Sequence, residues 1–199
     1  MADIVERGQP LIDGLNPDRE FTDEISVTVS ATPAAIFDAA MRVTANDMPV
    51  AKALGTLRYL PGRLLGRKRA SSDAAPFIQT LLDNGTVILA DEPEHELVFG
   101  SAGKYHQLLD QEPRPFKTAD DYHAFHHADY QQLVMSLRVT PTSTPGLNQL
   151  VLEHRTHPLS EESRRKFRRY WRVIRPPGAF VTKQLLGAIK RRAERDASA

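Results

Sequence analysis

SEESRRKFRRYWRVIRPPGAFVTKQLLGAIKRRAERDASA, residues 160–199, joins a long apolar stripe to a dense run of positive charge. Phe167, Tyr170, Trp171, Ile174, Val181, Leu185, Ile189 and Ala193 recur at steps of three, four or seven, the spacing that lines side chains along one face of an α-helix. Basic residues fill the other positions. Residues 164–199 hold twelve Lys or Arg against Glu194 and Asp196, a balance of +10 in a chain whose formal net charge is +1, so the first 163 residues carry −9. Pro176-Pro177-Gly178 interrupts the stripe. Proline removes a helical hydrogen bond and clashes with the preceding turn, which predicts two helices or one sharply kinked helix, broken at residues 175–178.

A stripe of this length needs a surface to cover, and the chain can supply one. At 199 residues with 41% hydrophobic and 26% charged side chains, the composition fits a single globular domain with a real core. There is no cysteine, which excludes disulfides, thiolate catalysis, zinc–thiolate sites and iron–sulfur clusters. Any metal would need His and carboxylates; neither metal nor cofactor is expected. No apolar run reaches the ~18 residues a membrane span requires, and MADIVERGQP lacks the basic-then-apolar order of a signal peptide, so a cytoplasmic location is expected.

Residues 1–19, with Gly8, Pro10, Gly14 and Pro17, read as an extended arm ahead of a domain at 20–199. From residue 20, Phe21, Ile25, Val27 and Val29 alternate with polar residues as in a half-buried strand, with Asp23 as the one slip. Thr32-Pro33 is an N-cap followed by proline at the first helical position, and Ile36, Phe37, Ala40 and Met41 give that helix an apolar face. A second helix is expected from Asp47 and Pro49 to the Leu60-Pro61-Gly62 stop, then an exposed loop over residues 63–75 that includes Arg67, Lys68 and Arg69. Residues 77–82, 86–91, 96–102, 131–140 and 148–157 read as strands, with Asn84-Gly85 as a hairpin turn and residues 141–146 as a loop. Residues 104–121 form a long excursion that could act as a lid.

Four local signatures stand in a telling order: Ala31-Thr32-Pro33-Ala34-Ala35-Ile36-Phe37 after the first strand, Glu92-Pro93-Glu94-His95-Glu96-Leu97-Val98-Phe99-Gly100, Leu152-Glu153-His154-Arg155-Thr156 in the last strand, and Arg165-Lys166-Phe167-Arg168-Arg169-Tyr170-Trp171 opening the long helix. With them, residues 21–194 resemble the START-like (SRPBCC) superfamily, which includes birch-allergen proteins, lipid-transfer domains and aromatic polyketide cyclases. The last two signatures are similar to a bacterial branch of it. The resemblance implies an α+β helix-grip fold: a curved antiparallel sheet of about six or seven strands wrapped around a long, Pro-kinked C-terminal helix, with two short helices after the first strand. It also implies an apolar cavity between sheet and helix for a lipid, polyketide-like or aromatic ligand. Phe37, Met41, Phe77, Phe99, Tyr170, Trp171, Ile174 and Leu185 are the expected walls, and His126, Tyr130 and Arg155 the expected polar groups.

His123, His126, His127 and Asp129 lie within seven positions, yet their spacing matches no metal motif, and on a strand His126 and His127 would point to opposite sides. Either Tyr122, His126 and Tyr130, or His123, Phe125, His127 and Asp129, could form a polar rim. Glu153 and Arg155 share a strand face, with Leu152, His154 and Thr156 on the other; they pair structurally or anchor a ligand. Two other functions remain open: a cyclase or dehydratase with His126 or His127 as base and Arg155 or Tyr130 polarising a carbonyl, and a peripheral module whose basic helix meets an anionic membrane surface. No recognised module points to specific nucleic-acid binding.

Overall fold

The computed structural model describes residues 9–50, 74–107 and 112–198. Strands β1 (Thr22–Val29), β2 (Val87–Glu92), β3 (Glu96–Gly103), β4 (Gln131–Pro141) and β5 (Asn148–Pro158) form one antiparallel sheet in the order β1-β5-β4-β3-β2. Helix α1 (Leu11–Leu15) precedes β1, α2 (Pro33–Arg42) follows it, α3 (Phe77–Asp83) precedes β2, α4 (Ala119–His123) lies between β3 and β4, and α5 (Glu161–Asp196) ends the chain. The expected cap is present: the Thr32 hydroxyl accepts from the Ala35 N–H at 3.3 Å, and Pro33 opens α2.

Among the described residues there are five strands against the six or seven expected, and residues 77–82 are helical. Pro76 opens that helix, Ile78 and Leu82 share its buried side, and Gly85 ends it at φ +86°. Thr86 N–H reaches the Leu81 carbonyl and Gly85 N–H the Leu82 carbonyl, the paired bonds of a Schellman stop. Asn84-Gly85 therefore closes a helix instead of a hairpin. A 3-10 turn, Ala45–Asp47, boxed by Thr44 and Asp47, comes first, and the second helix starts at Pro49 as expected, with Pro49 and Val50 helical; its remainder, and most of the loop at 63–75, lie outside the described residues.

Both sheet faces are covered. On one, Ile36, Phe99, Leu137, Leu150, Leu152, Leu186 and Ile189 form the main core between the sheet, α2, α3 and α5. On the other, Ile12, Val87, Val98, Ala102, Phe116, Tyr122 and Val134 form a second core under α1 and α4. Residues 9–19 are thus no extended arm, since Ile12 is fully buried within α1. The return from β3 also runs here: Arg114 N–H bonds to the Ala102 carbonyl and Phe116 N–H to Gly85. Residues 112–121 accordingly cover the face away from α5 and are not a lid over it.

Helix α5 is continuous for 36 residues through Pro176 and Pro177, so the two-helix alternative and the expected break do not hold. The carbonyls that lose their donors belong to Arg172 and Val173, both exposed, where solvent replaces the missing N–H groups. Packing fixes the helix on either side, through Phe167 before the prolines and through Leu185, Leu186, Ile189 and Ala193 after them.

Candidate functional site

Between Phe167 and Thr182 no residue of α5 is fully buried, so the middle of the helix stands off the sheet. The gap is a cavity of about 280 Å³ lined by Tyr105, Leu133, His154, Thr156, Phe167, Tyr170, Trp171 and Ile174. Strand register builds its floor: Met135 pairs with His154 and Leu133 with Thr156, all on the α5 side. Phe21 seals one flank, its ring edge-on to Phe167 at 5.0 Å and to Trp171 at 6.2 Å. Aromatic edges and faces thus make up much of the wall.

Polar groups in this apolar frame are few. The Tyr105 hydroxyl donates to Ser101 Oγ at 2.9 Å. His154 has no hydrogen-bond partner for either ring nitrogen among the described residues. Desolvation pushes its imidazole down to about 4, against the upward pull of the Asp23 and Glu153 carboxylates, so the ring is neutral at neutral pH. Asp23 is the register partner of His154 on β1 and sits 3.2 Å from Arg175 Nε. The apparent slip in the β1 alternation is therefore an inward carboxylate paired with the helix.

A second, tighter void lies among Ala40, Phe77, Ile78, Phe99, Met135, Leu137, Leu152, Leu185 and Ile189. At about 10 Å³ it has room for at most one water. Of the expected walls, Tyr170, Trp171 and Ile174 line the cavity, whereas Phe77, Phe99 and Leu185 are core side chains around this small void. Phe37 is half-buried against the same core, and Met41 is 46% exposed.

The expected polar groups lie elsewhere. His126 and His127 are exposed in the loop after α4, not on a strand. Tyr130 donates to Glu112 at 3.3 Å, carries Lys104 Nζ over its ring at 5.4 Å, and has His127 at 5.0 Å. Neither His126 nor His127 lines the cavity under α5. Tyr122 is buried in the second core, so neither proposed rim faces α5. Among the described residues no three His, Cys, Asp or Glu gather as metal ligands.

Arg155 is fully buried on the face opposite the cavity. Its guanidinium donates to Glu153 at 2.7 Å, to the Asn16 carbonyl at 2.7 Å and to Asp13 at 2.5 Å. That hydrogen bond from Arg155 holds the Asp13 carboxyl below the usual carboxylate range. Beside it, Glu96 accepts from the Leu11 N–H at 2.8 Å and the Ser136 hydroxyl at 2.6 Å. The cluster fastens α1 to the sheet, which is the structural pairing of Glu153 and Arg155 in place of ligand anchoring.

His154, Thr156, Tyr105 and Leu133 were not among the expected site residues. Alternation in β5 could have found two of them, because His154 and Thr156 share a face with Leu152, opposite the Glu153–Arg155 pair. Tyr105 carries no comparable signal, since a turn after β3 places it. Among the described residues, no helix is long and apolar enough to cross a membrane. No protein-family model matches this chain, and no curated protein matches it in sequence.

Proposed function

We propose that the protein binds a compact, mostly apolar small molecule with one hydrogen-bonding group in the cavity between α5 and strands β4 and β5. The observation that carries this reading is His154: a neutral imidazole with no hydrogen-bond partner among the described residues, set in an aromatic-walled cavity open to solvent. The ring is part-buried at the cavity wall, so its nitrogens are left to solvent in the free protein, and a ligand's polar group can take the place of that water. At about 280 Å³ the cavity lies just under the roughly 300–1,000 Å³ of drug-sized ligand sites, which suits one or two fused rings better than a long acyl chain. The START-like resemblance supports the same location, because that fold class holds apolar ligands between sheet and C-terminal helix.

The chain's single tryptophan, Trp171, lines the cavity and reports occupancy directly. Titration with 2-naphthol should change Trp171 emission saturably, and naphthalene should bind more weakly. His154→Leu should lower 2-naphthol affinity about tenfold, the worth of one hydrogen bond, and leave naphthalene unchanged. If neither compound produces a saturable change or a thermal shift in the wild-type protein, the cavity is not a ligand site.

A further inference from the structure

The twelve cations of residues 164–199 divide into two sets. Arg164 and Arg168 pair with Glu20, Lys166 with Glu162, Arg175 with Asp23, Lys190 with Glu194 and Arg192 with Asp47, while Arg191 donates to the Asp47 carbonyl. Much of the charge asymmetry is thus neutralised within the fold. Arg165, Arg169, Arg172, Lys183 and Arg195 are exposed and make no salt bridge among the described residues, although Arg165 lies near enough to Glu162 to help hold its carboxyl down.

Four of these five fall on one line. Arg165, Arg169, Arg172, Val173, Pro176, Phe180 and Lys183 follow one another at steps of four, three, one, three, four and three, a single stripe about 27 Å long at 1.5 Å per residue. At its centre Val173 is 73% exposed and Phe180 39% exposed, with exposed Pro176 between them. Cations at both ends of a stripe and bare apolar groups in the middle match the two layers of a lipid interface, phosphates outside and acyl chains beneath.

We infer that this outer stripe of α5 is a docking surface for an anionic lipid bilayer. Charge complementarity brings the helix to the surface, and Val173, Pro176 and Phe180 enter the headgroup boundary. A nucleic-acid backbone would use the same cations but give the aliphatic centre nothing to bury it. An acidic protein could bury that centre only with a matching apolar patch, whereas a bilayer offers one at every position. The turns that present Val173 outward present Tyr170, Trp171 and Ile174 inward to the cavity. Docking would then hold the cavity about one helix diameter, ~10 Å, from the lipid. That last consequence rests on the proposed ligand binding; the docking does not.

The test is co-sedimentation of the full chain with vesicles of phosphatidylcholine alone or mixed with phosphatidylglycerol, alongside titration of a DNA duplex. Binding to the mixed vesicles at low salt, little binding to neutral ones, and release at high salt are expected. Each cation near an anionic surface contributes about fivefold, so R165Q/R169Q/R172Q should weaken partitioning roughly a hundredfold. Val173→Ser with Phe180→Ser should cost about tenfold in vesicle binding without altering DNA affinity. All five side chains are exposed, so circular dichroism should show the helix retained. No pelleting with the mixed vesicles at low salt overturns the proposal, as does pelleting indifferent to both sets of substitutions, or duplex binding tighter than vesicle binding. Trp171 titration with 2-naphthol stays intact in these variants, which separates failure of docking from failure of the cavity.

Discussion

At the scale of single residues, two β5 neighbours show how one backbone step changes chemistry. Arg155 is a fully buried charge with every partner in place, and Glu153 depends on it. Arg155→Ala should cost about 3–5 kcal/mol in urea unfolding, because it leaves the buried Glu153 carboxylate with only Arg138 at 3.5 Å and takes away the donor to Asp13 and the Asn16 carbonyl. Glu153→Gln combined with Arg155→Met should recover part of that loss; a double variant as unstable as the single one would contradict the pairing. His154 looks the other way, into the cavity. Its folded-state value near 4 lies below the ordinary 6.5, so the unfolded chain takes up a proton that the native state refuses. Stability is then full above pH 6.5 and falls as pH drops towards 4, by up to about 1.4 kcal/mol per pH unit. Comparing unfolding at pH 7 and pH 5 checks this, and His154→Leu should flatten the difference.

At the scale of elements, two glycines make opposite predictions. Gly85 stands at φ +86°, and an added Cβ would lie 2.4 Å from Pro115 Cα. Gly85→Ala should therefore destabilise by roughly 1–3 kcal/mol, through the left-handed backbone and the displaced return strand. Gly178, inside α5 and after two prolines, has nothing within 4 Å of a Cβ and no need of glycine geometry. Gly178→Ala should raise the urea midpoint, with a gain of about 0.5–1 kcal/mol. A loss there would mean that the α5 backbone departs from helical geometry after Pro177. The uninterrupted helix also shows that a propensity penalty local to an exposed turn yields to packing on both flanks.

The whole molecule is a sheet between two unequal covers. One cover is the long helix, which leaves a cavity over its middle; the other is α1 and the β3 return, over a second apolar core. Ile12, fully buried at the centre of the second cover, joins α1 to strands 75 or more residues away. Ile12→Ala should cost about 2–5 kcal/mol by thermal or urea unfolding, the usual range for emptying a packed aliphatic site. An extended arm would lose nothing on the same substitution.

Several features were legible in the sequence for local reasons. The α5 stripe, the Thr32-Pro33 cap and four of the five later strands follow from periodicity and capping chemistry, which act within a few residues. The Glu153–Arg155 pair was legible as well, because strand alternation puts both on one face. Residues 77–82 were misread because a short apolar run satisfies both periods, and only the Gly85 stop with its contact to Pro115 decides between them. Tertiary structure alone decided which sheet face α5 takes and where the helix stands off it. It also decided that α1 covers the other face. Those choices depend on contacts between residues more than a hundred positions apart, such as Asp23 with Arg175 and Asp13 with Arg155. By itself the sequence determined that a long basic helix would lie on an antiparallel sheet; the tertiary structure moved the polar centre from Arg155 and the His126 loop to His154, because facing direction is set by long-range packing.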